Sequence, residues 1–168
     1  MPAQKILIYP HPVLKKLCHP VGAIDGEIKG LLQDLLDCMH AGPGSVGVAA
    51  PQIGVTLRVC VVDVSNSRNG KGNNHGLLQM INPVITERSG AAIMREGCMS
   101  VPDYTGDVER ATEITVRFTD GNGIEQEVEA SGFEAVAIQH EMDHLDGMLF
   151  LDRIASLKTG LFRRKNYK

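Results

Sequence analysis
The chain has 168 residues, 43% of them hydrophobic and 22% charged, which fits one compact domain and excludes disorder, collagen-like repeats and disulfide-stapled miniature folds. Seventeen Lys and Arg against 20 Asp and Glu give a net charge of −3, too balanced for a protein that binds DNA by charge alone. No run reaches the ~20 apolar residues of a membrane span, the opening MPAQKILIYPHPVLKK lacks a signal-peptide pattern, and four scattered cysteines without a CxxC pair suit a reducing, cytoplasmic setting.

After an extended KILIYP, the residues Ile28, Leu31, Leu32, Leu35, Leu36 and Met39 recur at the spacing of an amphipathic helix entered at Asp25. The glycines and prolines of AGPGSVGVAAPQIG forbid a regular helix and permit close backbone approach to something else. Residues 57–64, LRVCVVDV, read as a buried strand, and residues 65–76, with no apolar side chain, as a loop. LLQMINPVIT, EITVRF and IEQEVEA read as strands; the turn TDGNG joins the last two as a hairpin, and antiparallel pairing follows. A second helix opens with Ser131 and Glu134 at capping-box spacing, runs through FEAVAIQHEMDHLD and stops at Gly147. Both of its faces are apolar, with Phe133, Val136 and Ala137 on one and Ile138, Met142, Leu145 and Leu149 on the other, so it belongs inside the fold. The expectation is a single α+β domain over residues 1–168, with mostly antiparallel sheets surrounding a central HExxH-bearing helix. LKTGLFRRKNYK, from about residue 157, has five basic residues and no acid and reads as a solvated basic tail.

Within the second helix, His140 and His144 stand four apart on one face, where two imidazoles can ligate one metal ion, and Glu141 can reach a water on it as general base. Two core histidines satisfied by hydrogen bonds are the plainer reading. Burying two histidines and two carboxylates in an apolar helix without a metal is costly, which favours the ion. The third ligand is not downstream: the last position of HExxHxxGxxH is Phe150, and the remaining tail holds no acid. Upstream, Cys98 in REGCMSVP is the candidate, flanked by the small residues Gly97 and Ser100. Cys38 and Cys60 read as buried core, and Cys18 is assigned neither way.

Three motifs in order resemble the peptide deformylases: Ser45-Val46-Gly47-Val48-Ala49-Ala50-Pro51-Gln52 for GxGxAAPQ, Glu96-Gly97-Cys98-Met99-Ser100 for EGCLS, and Gln139 to Gly147 for QHExDHLxG. The resemblance extends along essentially the whole chain, including IYPHPVLKKLCHPV and the INP at Ile81 to Pro83. Ser45 departs from the usual glycine and Met99 from the usual leucine.

The resemblance implies a metal-dependent hydrolase that removes the formyl group from the N-terminal formyl-methionine of nascent polypeptides and releases formate. It places a metal ion on Cys98, His140 and His144, with Glu141 moving the proton and the Gln52 side chain and the Met99 main-chain N–H stabilising the oxyanion. Substrate backbone would pair as an added strand with Val46 and Gly47, and Phe133, Val136 and Ala137 would wall the methionine slot. Glu96 and Arg110 would form a pair that steadies the Cys98 loop, Gln139 would lie beside the ligands, and Asp143 would orient a ligand histidine. If position 45 required a positive φ, serine would cost about a kcal/mol there. The resemblance favours Fe2+ in the cell, with Zn2+, Ni2+ or Co2+ replacing it in preparations made in air. The partners implied are N-formylmethionyl peptides and nascent chains, with neither membrane nor DNA, and the basic tail suggests a ribosome contact. An HExxH endopeptidase and a non-catalytic binding module are the competing readings; the missing downstream ligand opposes the first and the presence of Glu141 and Gln52 the second.

Overall fold
The computed structural model describes residues 4–164. Asp25 caps α1 (Gly26–Ala41) by accepting from the amides of Glu27 and Ile28 at 3.1 and 3.2 Å. The predicted stripe of α1 is buried at Ile28, Leu31, Leu32, Leu35 and Met39, with Cys38 among them and Leu36 half-buried at the margin. It packs on β1 (Gly47–Ala49) and β2 (Val59–Val62).

Then follow β3 (Leu78–Ser89), β4 (Ala92–Cys98), β5 (Val101–Arg110), β6 (Glu113–Thr119) and β7 (Glu125–Ser131), and after them α2 (Gly132–Leu145) and β8 (Leu161–Arg163). The strands form two antiparallel sheets, one ordered β1-β2-β3-β6-β7 and the other β4-β5-β8, so the fold is α+β as expected. Period-two alternation buries Ile114, Val116 and Phe118 of β6 in one cluster with Met80, Ala135, Ile138 and Leu145. Each large apolar side chain fully buried there contributes about 1.5–3 kcal/mol. The hairpin predicted at TDGNG joins β6 and β7, with Gly123 at φ +79. The INP segment falls at a register shift of β3, where Asn82 has φ +53 and its amide both donates to and accepts from the Val21 backbone at 2.8 Å.

Every residue of α2 from Glu134 to Leu145 is buried, and the helix packs against β1, β2, β6 and β7. Its start differs from the expected capping box: Ser131 makes no side-chain cap bond, and the Glu134 side chain, only 1% exposed, is turned inward. There it accepts from the His75 amide at 2.7 Å and meets His75 Nδ1 at 2.5 Å, tying the 65–76 loop to the helix. At the other end the Leu145 carbonyl accepts from Arg58 and from the Cys18 amide, both at 2.9 Å, and Arg58 pairs with Asp146. Gly147, at φ +75, follows; a Cβ there would lie 2.6 Å from the Lys15 carbonyl oxygen, so glycine is the residue that fits.

β1, β4, β5 and β8 lie outside the elements that the sequence pattern predicts. The solvated tail is corrected in part: residues 161–163 are β8, paired with Tyr104–Gly106 of β5, while residues 165–168 lie outside the described residues. No helix among the described residues is long and apolar enough to cross a membrane.

Candidate metal centre and cleft
The 3.6-residue period of α2 stacks His140 and His144 one turn apart, with ring centroids 5.2 Å from each other. Cys98 arrives from the end of β4, where a register shift against β5 separates it from Gly97. One ligand atom from each of Cys98, His140 and His144 lies within 4.8 Å of the others, and Cys98 Sγ is 3.5 Å from His144 Nε2. Burial pushes the Cys98 thiol up, but the adjacent His144 and His140 imidazoles outweigh it and hold the thiol well below its ordinary range. A thiolate between two imidazoles is a donor set for a borderline-soft divalent ion. Two buried atoms beside it, Glu141 Oε1 and His144 Nδ1, have no hydrogen-bond partner among the described residues, and Glu141 Oε1 is 4.0 Å from His144 Nε2. A carboxylate oxygen left bare at this depth fits a bound ion and its water far better than an empty core.

Behind the ligands runs a chain of charges. Glu96 Oε1 accepts from His140 Nδ1 at 2.8 Å, which leaves Nε2 free to act as a metal donor. Arg110 grips the same carboxylate through Nε and Nη2 at 2.5 and 2.9 Å and reaches Asp143 through Nη1 at 2.8 Å. Glu96 and Arg110 are only 7% and 5% exposed, so this is a buried pair and not a surface one. Burial raises the Glu96 carboxyl, yet the His140 and Arg110 hydrogen bonds pull it below the usual carboxylate range. Asp143 corrects the expectation that it orients a ligand histidine. Its oxygens accept from Arg110 and, at 2.6 and 2.8 Å, from Arg153, because residue 143 flanks the histidine face of α2 on the side opposite Glu141, where those two guanidinium groups lie. Gln139 likewise touches no ligand: its amide bonds the Ala111 N–H and carbonyl at 3.2 and 2.9 Å and fastens α2 to the β5–β6 connection.

A cleft of about 580 Å³ opens over His140 and Glu141, with Ser45, Val46 and Gly47 on its β1 side. Gly97 and Cys98 line it from β4, Met99 from the turn that follows, and Phe133, Val136 and Ala137 from α2, so the sequence candidates for backbone pairing and for the apolar slot border one space. Gln52 sits in the 3-10 turn Ala50–Ile53. Its Oε1 accepts from the Ala49 amide at 2.9 Å, which fixes Nε2 toward Ser100 Oγ at 3.0 Å and Cys98 Sγ at 3.5 Å. The Met99 side chain packs against the α1 cluster. Gly47 is required for a steric reason, since a Cβ there would fall 2.8 Å from both Cγ and Oε2 of Glu141. Ser45 has no positive φ and is unstrained; its hydroxyl donates to the Gly47 carbonyl at 3.4 Å. Sequence reasoning missed the contact of Ser100 with Gln52, since Ser100 reads there only as a small neighbour of Cys98, and it missed Arg153, which no local pattern marks.

Three ligands suit a catalytic ion better than a structural one, and a buried carboxylate beside them supplies a proton acceptor. The fold and site therefore define a metal-dependent hydrolase. Comparison with known proteins narrows the class. The sequence pattern of the family described as Polypeptide deformylase matches residues 3–160. A peptide deformylase of Rhizobium meliloti is 42% identical over 166 residues, 98% of this chain and 92% of that protein. The crystal structure of a peptide deformylase from Legionella pneumophila superposes with a TM-score of 0.84 at 36% identity, covering 93% of this chain and 88% of the other. That of peptide deformylase from Ehrlichia chaffeensis in complex with actinonin gives 0.87 at 34% identity, covering 94% and 92%. The chain belongs to the peptide deformylase family, metal-dependent enzymes that remove the N-terminal formyl group from nascent polypeptides.

Proposed function
We propose that Cys98, His140 and His144 hold one divalent ion and that Glu141 carries the proton in hydrolysis of N-formylmethionyl peptides. The observation that supports this best is the buried, unpartnered Oε1 of Glu141 beside the Cys-His-His group. Bound there, a divalent ion supplies Lewis acidity to the formyl oxygen and lowers the pKa of a water. Glu141 Oε1 takes a proton from the water that attacks the formyl carbon and delivers it to the methionine nitrogen as the C–N bond breaks, so that formate and a free amine leave. Gln52 Nε2, fixed through its own Oε1, donates to the formyl oxygen as charge develops there, joined by the main-chain N–H of Met99. Val46 and Gly47 border the outer strand of the larger sheet and offer it to the peptide backbone as an edge. Phe133, Val136 and Ala137 wall the slot for the methionine side chain.

In this reading residues 1–168 form one catalytic domain of the cytoplasm, with the sheets arranged about α2 as its central element. Fe2+ is the ion in the cell, and Zn2+, Ni2+ or Co2+ take its place in air, since ferrous iron beside a thiolate is oxygen-sensitive. A ribosome contact through the tail rests on the tail's positive charge alone.

The test is formate release from a formyl-Met peptide by anaerobically purified protein, with metal content measured on the same sample. Release that is abolished by a chelator and restored by Fe2+ is the expected result; folded, fully metallated protein that releases none overturns the proposal. Gly47→Ala is expected to displace the Glu141 carboxylate and lower kcat/KM by about 10²-fold, with metal content unchanged. Wild-type kcat/KM in that variant would mean the carboxylate has room that the structure denies it.

A further inference from the structure
The cleft carries two guanidinium groups that the proposed chemistry leaves unused. Arg95 precedes Glu96 on β4, and Arg164 follows directly on β8. Strand register explains why both reach the cleft. Gly97 pairs with Thr105 and Thr105 with Phe162, so Arg95, Gly97, Phe162 and Arg164, at positions two apart, share one face of the smaller sheet. The Arg95 guanidinium lies 3.5 Å from the Phe162 ring centroid, a cation–π contact that holds it over the sheet. The Arg164 backbone N–H donates to the Asp103 carbonyl at 2.7 Å, and its guanidinium lies on the bare Cα of Gly97, in the space a Cβ would fill.

Two acids of β5, Asp103 and Asp107, share this face by the same register, yet neither closes a tight pair with an arginine of the face. Asp107 lies 3.6 Å from Arg95, a long pair between side chains that are 54% and 38% exposed. Arg164 has no carboxylate within 4.0 Å among the described residues. The acids of the cleft lining are occupied elsewhere, Glu96 with Arg110 and His140, and Glu141 in the buried site. We propose that Arg95 and Arg164 select peptides with an acidic side chain within the first two residues after the formyl-methionine. The inference rests on the deformylase reading of the cleft. It gives part of the basic tail a position in substrate recognition, with Gly97 leaving the room.

The test compares four amide-capped peptides on the metal-loaded full chain: formyl-Met-Asp-Ala against formyl-Met-Asn-Ala, and formyl-Met-Ala-Asp against formyl-Met-Ala-Asn. The Asp/Asn ratio of kcat/KM is expected to reach about fivefold at one of the two positions, the scale of an exposed ion pair, and to shrink in high salt. Arg164→Gln should bring the ratio toward one and Arg95→Gln should reduce it. Arg163→Gln removes the same charge outside the cleft lining and should leave the ratio intact. A wild-type ratio of one or less at both positions, or a ratio that survives Arg164→Gln, overturns the proposal. The same ratio is read as Kd for the four unformylated peptides. If no formate is released from any substrate, the deformylase reading fails, while the Kd ratio still decides the selectivity.

Discussion

Replacing Glu141 with glutamine is expected to lower kcat/KM for formate release by about 10²–10⁴-fold, the range that one positioned proton carrier contributes. The side chain keeps its volume in this change, which matters because Gly47 leaves no spare space against it: the position of an added Cβ is 2.8 Å from Glu141 Cγ. What is lost is the ability of Oε1 to accept a proton. Burial pushes the Glu141 carboxyl up from its ordinary value, and the His140 and His144 imidazoles pull it partly back, so it holds a proton more readily than a solvated glutamate would. That suits a group that must take a proton and then release it to an amine. Metal content should be unchanged, since the proposed ligand atoms belong to Cys98, His140 and His144. Stability should be equal or slightly higher, because a buried carboxylate gives way to a neutral amide that costs less to bury. Glu141→Ala should lose as much activity and also some stability, through the cavity it leaves. Full activity in the glutamine variant, with metal bound, would remove Glu141 from the mechanism.

The parts of the fold that the sequence reveals are those in which local pattern and tertiary burial agree. The stripe of α1 and the cap at Asp25 are set by helical period and by the N-terminal amides, and both appear where the pattern puts them. The HExxH spacing needs only helical geometry to bring His140 and His144 together. β4 and β5 are harder to see, because Gly97, Pro102, Asp103 and Gly106 lower strand propensity and only alternate residues face inward. Their pairing delivers Cys98, Glu96 and Arg110 to α2 from residues distant in the chain, a placement that spacing alone does not contain. Asp143 shows the limit most clearly. Its nearness in sequence to both histidines suggests a ligand-orienting role, but the carboxylate that does reach His140 comes from β4, and Asp143 serves two arginines instead. Arg164 is obscured for a different reason. A run of basic residues reads as solvated until a strand partner fixes where each side chain points, and that partner is three residues of β5.

Arg110→Met is expected to destabilise the protein by about 3–5 kcal/mol, the cost of leaving buried charges without their partner. Arg110 is shared by Glu96 and Asp143, and its guanidinium is held above its ordinary pKa by both despite burial. Its removal leaves two carboxylates, each under a tenth exposed, with only His140 and Arg153 to answer them. For a domain of this size the melting temperature should fall by about 6–20 °C. The metal site should weaken as well. Glu96 orients His140 through Nδ1, and loss of such a supporting contact typically lowers metal affinity about 10–100-fold. A control separates lost charge pairing from lost packing. Combining Arg110→Met with Glu96→Gln and Asp143→Asn removes the stranded charges and keeps the volumes, so much of the lost stability should return while the metal affinity stays low. If the triple variant is no more stable than Arg110→Met alone, packing of the guanidinium stem is what holds β5 to α2, and the charge network acts only to aim the histidine.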